Sequence, residues 1–532
     1  MGGRSGRAPL VSLVTAVIVV VLTPAAAGAA GLPVPSVTAA VQVTNDPNPT
    51  RAHSTPQIAR NPKTGELVIG EAEVRSEHSC DIHISVDNGR SWFNGGSPMI
   101  APWTDCSRQA TNGVYITFQF TPDGTLWAAF FGSDPSTEST LNRNDVPANV
   151  FVARSQDSGR HWVTTIAYRG QMGDPGIGAS RRAQIAVDPN NTQNVYVGWQ
   201  KGGYSTPTPG GPRKSIVQYS HDGGLTFSTP IELQGVHGGG QPKLVVDSKG
   251  VVHAIIAEDA FMAPTGAAAV PRAFFYTRST NQGRTWSPLK VVDQGSVGFS
   301  FGRVEILAVD PKTDALYFAW YGNTNPKAQR PPVGMPSTTQ FDDREILLRS
   351  SSDGGNTWSA VKTINDDTAT RNIQHYDPGI WVAPNGRVDI AWYDFRNSPD
   401  PEHEDPGGNG GGATDVYYSA SGNQGASFTS NIRVTDRISD RTIGVWSNNT
   451  HSHANLGLVS TNDTVYIAWQ DTRNGNSTTS AEDIYFAAVR YPLSKPGRGV
   501  PGWAVLGVAA AVGLGLTIVV GLGTTRRTRG VQ

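Results

Sequence analysis

The chain has 532 residues, a formal net charge of −1, 60 glycines, 36 prolines and 13 tryptophans. That length holds two or three ordinary domains or one large repeat domain. The near-neutral balance supplies no electrostatic footprint for nucleic acid, and the tryptophans carry apolar surface that a disordered chain would leave unburied.

Residues 1–30 read as an export signal: Arg4 and Arg7, an apolar run from Leu10 to Leu22, then small residues from Ala25 to Ala30. An uncleaved N-terminal anchor is the competing reading, and the apolar run is short for it. At the other end, Trp503 to Gly523 would cover roughly 30 Å as a helix, about one hydrocarbon core. Arg526, Arg527 and Arg529 follow at once, and basic flanks prefer the cytoplasmic side. The expected organisation is a signal peptide over 1–30, one domain over 31–491, a Pro/Gly linker over 492–502, a transmembrane helix over 503–523 and a basic cytoplasmic tail over 524–532. The bulk of the chain then lies outside the cell as a single-pass, monomeric surface protein. Cys80 and Cys106 are the only cysteines. In an exported chain an isolated pair is read as a disulfide, and no C-x-x-C spacing points to a metal.

Between these ends the chain repeats itself. Ser-x-Asp-x-Gly-x-x-aromatic occurs at Ser85-Asp87-Gly89-Trp92, Ser155-Asp157-Gly159-Trp162, Ser220-Asp222-Gly224-Phe227 and Ser351-Asp353-Gly355-Trp358. Asn281 and Asn423 replace the aspartate in two further copies, Ser279 to Trp286 and Ser421 to Phe428. The acid or amide side chain is expected to accept hydrogen bonds from backbone amides just ahead of it. Glycine then supplies a backbone angle that other residues resist, and the aromatic ring plugs into the blade. Each motif thus closes one strand and opens the next.

A tight hairpin precedes each box, with turns at Asn61–Gly65, Thr121–Gly124, Asp188–Asn191, Asp247–Gly250, Asp310–Thr313, Ala383–Gly386 and Ser460–Asp463. The seventh unit lacks a fourth strand. The N-terminal stretch Val37 to Thr44 supplies one, because Val41-Gln42-Val43-Thr44 resembles Ile432-Arg433-Val434-Thr435. The expected fold is an all-β propeller of seven four-stranded blades closed by the N-terminal strand, with six blades as the alternative. Closure protects strand edges that a linear stack would expose.

With strands A to D counted from the axis outward, hairpins (A–B) and boxes (C–D) fall on one rim. The opposite rim receives long loops near 132–149, 201–214, 259–272, 322–343 and 396–414. Long irregular loops in a compact domain favour function, so any binding site is expected there. Candidates from the ends of B strands are Glu71, Glu73, Glu258, Asp259, Tyr393, Asp394, Arg396, Asp471 and Arg473. From the starts of A strands come Arg181, Arg182, Arg303, His375 and His453. Glu258, Asp259, Tyr393 and Asp394 are the catalytic candidates; Arg181, Arg182, Arg303, Arg396, Arg473 and His375 are the substrate-binding ones. Carboxylates can protonate a leaving oxygen, and arginines can pair a sugar carboxylate. The competing reading makes Asp394-x-Arg396 and Asp471-x-Arg473 blade-to-blade salt bridges, since the pattern recurs in neighbouring blades. No cofactor is expected; the acidic stretch Glu402 to Asp405 is a calcium candidate without further support, and a solvated loop is the plainer reading.

The six boxes and the blade pattern resemble the sialidase-like, or BNR-repeat, superfamily over about residues 37 to 490. That resemblance implies a propeller on which three arginines grip a substrate carboxylate, a tyrosine paired with a glutamate acts as nucleophile, and an aspartate is the acid–base group. The family's first arginine lies in a Phe/Tyr-Arg-Ile-Pro motif. Here the matching stretch is His53-Ser54-Thr55-Pro56, with Ser54 at the arginine position. Two functions are therefore expected: an exo-α-sialidase type of glycoside hydrolase acting on sialylated or other anionic glycans, or a non-catalytic surface propeller that binds glycan, cell-wall polymer or protein.

Overall fold

The computed structural model describes residues 31–75, 79–103, 116–133, 148–170, 183–201, 214–233, 239–257, 273–294, 306–322, 345–367, 373–399, 412–444 and 456–492. The signal segment, the C-terminal apolar segment and most of the long loops lie outside these residues. Among the described residues no helix is long and apolar enough to cross a membrane.

The strands form seven antiparallel sheets. Blade 1 comprises His53–Arg60, Leu67–Glu73, Cys80–Ser85 and Phe93–Asn94. Blades 2 to 5 begin at Thr117–Phe120, Ala183–Val187, Lys243–Val246 and Ile306–Val309, and blade 6 runs from His375–Val382 through Val388–Asp394 and Ala413–Ser421 to Ile432–Arg433. Blade 7 is built from Gly457–Ser460, Thr464–Asp471 and Asp483–Arg490. Its outer strand comes from the N-terminal segment, with Val41 opposite Phe486 and Gln42 opposite Tyr485. The expected continuous strand over 37–44 is instead two short pieces, Ser36–Val37 and Val41–Gln42, both paired with Asp483–Arg490. Seven blades replace the six-blade alternative.

Each blade is sandwiched between two others, so its second strand is buried on both faces. This explains why Leu67–Glu73, Leu316–Gly322 and Val388–Asp394 are buried at every residue and read as near-continuous apolar runs rather than alternating ones. The inner strands of all seven blades line one axial channel of ≈ 450 Å³, with Ile58, Phe118, Ile185, Leu244, Leu307, Ile380 and Leu458 each contributing from a different blade.

The boxes are turns of the expected kind. In the first, Asp87 Oδ1 accepts from the Ser91 amide at 2.9 Å, while the Gly89 amide donates to Ser85 Oγ at 2.8 Å. Asn281 does the same for the Thr285 amide at 2.9 Å. Gly89 needs its positive φ of 84°, the left-handed region that favours glycine. The aromatic rings go further than expected: Trp162 stacks on Phe118 of its own blade, while others dock on the preceding one. Trp92 meets Phe486 of blade 7 at 5.3 Å and Trp358 meets Tyr276 of blade 4 at 5.7 Å. The edge of each blade is therefore stapled to its neighbour by large apolar surface. Boxes and hairpins share a rim, since Asn61 of the first hairpin donates to Ser158 of the second box at 2.9 Å and Arg160 pairs with Glu66 at 2.8 Å.

Candidate functional site

On the opposite rim, blades 6 and 7 repeat one arrangement. Trp392 Nε1 donates to Asp394 Oδ2 at 2.9 Å, and Trp469 Nε1 donates to Asp471 Oδ2 at 3.0 Å. Asp394 Oδ1 and Asp471 Oδ1 each accept the backbone amide two residues on, at 2.9 Å. Arg396 pairs with Asp394 and reaches Asp366 at 2.8 Å; Arg473 pairs with Asp471 and reaches Asp436 at 2.8 Å. Asp366 and Asp436 follow the outermost strand of the preceding blade, so each arginine ties two blades together. Each guanidinium also lies over a tyrosine, Arg396 over Tyr417 at 4.2 Å and Arg473 over Tyr485 at 4.1 Å. Asn397 and Asn474 complete the clasp by bonding Asp415 and Asp483 at 2.8 Å.

His375 belongs to the blade 6 clasp. Its Nε2 lies 3.2 Å from Asp367 and 3.4 Å from Asp394. Burial opposes its charge, but Asp394 and Asp367 hold its pKa up at about 9. Burial also works against the charge of Arg396, yet its bonds to Asp394 raise its pKa. Asp394, Arg396, Arg473 and His375 are thus committed to partners within the protein, in the blade-to-blade role that the recurrence pointed to.

Tyr393 lies elsewhere, in a buried cluster where blades 6, 7 and 1 meet. Its hydroxyl accepts the Gln470 amide at 3.1 Å. Gln470 Nε2 donates to Glu482 Oε1 at 2.7 Å, and Gln470 Oε1 accepts from Ser54 Oγ and the Thr55 amide at 3.3 and 3.2 Å. Arg441, itself buried, lies over Phe395 at 5.2 Å and Tyr376 at 5.7 Å. Arg441 and Tyr393 both feel the charges of Asp377 and Glu482. Burial is the larger influence on each: it lowers the pKa of Arg441 and drives that of Tyr393 well above its ordinary value.

The backbone here is unusual. Thr55 and Asp377 have φ of +57° and +48°, at the register shifts of the inner strands of blades 1 and 6. Each precedes a proline, Pro56 and Pro378, and neither is glycine. Strain of this kind persists only where surrounding structure enforces it, and it gathers at functional sites. Asp377, Glu482 and Arg441 escaped the sequence reading. The parallel between His53-Ser54-Thr55-Pro56 and His375-Tyr376-Asp377-Pro378 could have exposed Asp377; no local signal marks Arg441.

A second cluster sits in blade 1. Glu71, fully buried, lies between His53 Nδ1 at 2.9 Å and His83 Nε2 at 3.3 Å. Burial penalises its charge, but His53 and the two imidazole contacts bring its pKa down to about 2. His53 is likewise penalised by burial and raised to about 9 by Glu71. Asp81, on the next strand, is pushed up to about 6 by burial and by the charge of Glu71.

Of the other expected site residues, Glu258, Asp259, Arg181, Arg182, Arg303 and His453 lie outside the described residues, as does the acidic stretch 402–405. Cys80 is buried at the start of its strand; Cys106, its expected partner, is also outside them.

The model of the BNR repeat-like domain matches residues 76–390. The chain belongs to the BNR repeat-like family. No curated protein matches this BNR-repeat chain. Among solved structures it is similar to a protein of unknown function from Dyadobacter fermentans, with 13% identity over 87% of this chain and 100% of that one and a TM-score of 0.46. It is also similar to the Hadza microbial sialidase Hz136 (14% identity, 78% and 74% covered, TM-score 0.41) and to the alpha-L-arabinofuranosidase Arb93A of Fusarium graminearum (11% identity, 85% and 98% covered, TM-score 0.43). These likenesses concern fold and do not bear on activity.

Proposed function

We propose that this BNR-repeat propeller is a glycoside hydrolase of the outer cell surface, working where blades 6, 7 and 1 meet. The observation that carries the reading is the gathering of Asp377, Glu482, Tyr393 and Arg441 on the rim opposite the boxes, with Asp377 held at a left-handed φ. Most glycoside hydrolases use two carboxylic groups, one to protonate the leaving oxygen and one to act as base or nucleophile. Asp377 and Glu482 supply such a pair, with the charge of Arg441 acting near both.

The described rim favours a neutral glycoside over an anionic one. Arg51, Arg396 and Arg473 are each matched by carboxylates at 2.7–2.8 Å, and Arg441 faces two acids. A sialoside would need its carboxylate gripped by Arg181, Arg182 or Arg303. The second reading, glycan binding without turnover, draws on Ser54 at the arginine position of the family motif. Export through residues 1–30 and anchoring through 503–523 are part of the proposal; fractionation of expressing cells tests them, with protein in the soluble cytoplasm counting against both.

The decisive assay screens the full chain against fluorogenic arabinosides, galactosides and sialosides. Turnover is expected on a neutral sugar, reduced at least about 100-fold in kcat by Asp377→Asn and by Glu482→Gln. Turnover confined to sialosides would sink the neutral-sugar preference. Absence of turnover with retained glycan binding would establish the second reading.

A further inference from the structure

Counting outward from each hairpin, one position of strand B is apolar in six blades: Phe130, Trp199, Ile256, Trp320, Trp392 and Trp469. Blade 1 places Glu71 there. The residue opposite on strand C is also apolar or aromatic in those six blades, with Tyr417 and Tyr485 serving blades 6 and 7. Opposite Glu71 stands Asp81. The rest of the frame is kept. His53 and Pro56 match His375 and Pro378, and Glu73 accepts the Arg75 amide at 3.2 Å as Asp394 accepts that of Arg396.

A pair of carboxylates has therefore replaced an apolar pair in a slot that packing alone fills with rings. A fully buried carboxylate is costly unless every oxygen is satisfied. Glu71 Oε2 has no hydrogen-bond partner. His83 lies beside it, with Nδ1 3.1 Å from Asn94 Oδ1 and Nε2 3.3 Å from Glu71 Oε1. One ligand atom from each of His53, Glu71 and Asp81 lies within 4.8 Å of the others. Rotation of Asp81, which is partly exposed, can close this to the spacing set by bonds of about 2.0–2.2 Å. A hydrogen bond from the second nitrogen of a ligating histidine to an oxygen is the usual support of such sites, and Asn94 offers it to His83.

We propose that His53, Glu71 and Asp81 bind a divalent transition-metal ion of the zinc class, with His83 beside them as a further nitrogen donor. The imidazole–carboxylate set suits zinc better than calcium, which prefers six or more oxygens. Asp81 and the partly exposed Asp46, 3.7 Å from His53 Nε2, form the entry side. The ion pins strands A, B and C of blade 1 beside the blade that closes the ring.

The test is metal analysis and calorimetric titration of the full chain, purified in detergent and stripped with chelator. One tightly held Zn²⁺ per chain is expected, unaffected by excess Ca²⁺, with a rise in Tm. Asp81→Asn should weaken binding at least about tenfold while the metal-free Tm stays near that of the parent. Glu71→Gln should abolish binding; if it fails to fold, Asp81→Asn still decides. Asp157→Ala, which removes the exposed pair with His161, should leave zinc affinity and stoichiometry unchanged. Substoichiometric zinc, parental affinity in Asp81→Asn, or a preference for Ca²⁺ would overturn the proposal. None of these outcomes depends on glycosidase turnover.

Discussion

Blades 6 and 7 differ from blade 1 at one slot of an otherwise shared rim. In blades 6 and 7 a tryptophan fills the slot and its indole N–H satisfies the aspartate two residues on. In blade 1 the capping carboxylate survives as Glu73, while the filler becomes Glu71 with His53 and His83 around it. The capping group is needed to end the strand in any blade, because it takes up backbone amides. The filler needs only to be satisfied, by apolar packing or by polar partners. Recurrence therefore marks what holds the ring together, and a break in recurrence marks what the ring was adapted to carry.

The comparison breaks most visibly if the fillers are exchanged. Trp392→Glu places a carboxylate in blade 6 beside Asp394 and with Ser419 where blade 1 has His83, and a loss of about 5 kcal/mol in denaturant unfolding is expected. The reverse exchange, Glu71→Trp with Asp81→Tyr, restores an apolar pair and should be near neutral in stability, as replacing buried ionic groups often is. A loss as large as that of Trp392→Glu would mean that the slots are not equivalent.

Next in size is the arginine of the clasp. Arg396→Ala leaves Asp394 buried with one fewer partner, at an expected cost of about 3–4 kcal/mol. Arg473→Ala should match it within about 1 kcal/mol if the two clasps are true copies.

The histidine of blade 6 makes stability depend on pH. Its folded pKa of about 9 lies above the ordinary value of 6.5, so the folded chain holds the proton more tightly than the unfolded one. The contribution, on the order of 3 kcal/mol, is complete below pH 6.5 and lost as pH rises through 9. Unfolding followed from pH 6 to pH 10 should show this fall; His53, also held at about 9, contributes a similar one, so His375→Asn should reduce the dependence by roughly half. Blade 7 has no titratable counterpart among its described residues.

The smallest effects belong to the boxes. Asp353→Ala should cost about 1 kcal/mol, whereas Asp353→Asn should cost almost nothing, because Asn281 and Asn423 already make the same backbone bond. At low pH the two kinds of box part company. The Ser91 and Thr357 side of the turn holds Asp87 and Asp353 at about 2, partly against burial. Their contribution is present above about pH 4 and fades as pH falls toward 2. Both are largely exposed, so solvent screening keeps it small. Calorimetric Tm of the Asp353→Asn chain between pH 2 and 5 checks this, and a change as large as that of His375→Asn would contradict it.

The ring itself was legible because its signals are local and repeated. Ser85 to Trp92 states its own turn chemistry, and five further copies state the period. The match of Val41-Gln42-Val43-Thr44 to Ile432-Arg433-Val434-Thr435 located the closing strand, since equivalent strands meet equivalent neighbours; Thr44 and Thr435 bond Asp483 and Asp415 alike. The site was legible only in part. Tyr393 and Asp394 are adjacent in sequence and point to opposite faces of a strand, so one joined the Arg441 cluster and the other the clasp. Arg441 and Glu482 carry no motif, and only the approach of blades 6, 7 and 1 brings them together.

The amino-acid sequence by itself determined the fold class, the number of blades, the rim of the boxes and the strand that closes the ring. These follow from turn chemistry and apolar runs within a few residues of one another. The tertiary structure alone decided which charged residues are clasps and which form a cluster. A carboxylate's role is set by the partners and the burial around it, and those come from blades far apart in the chain.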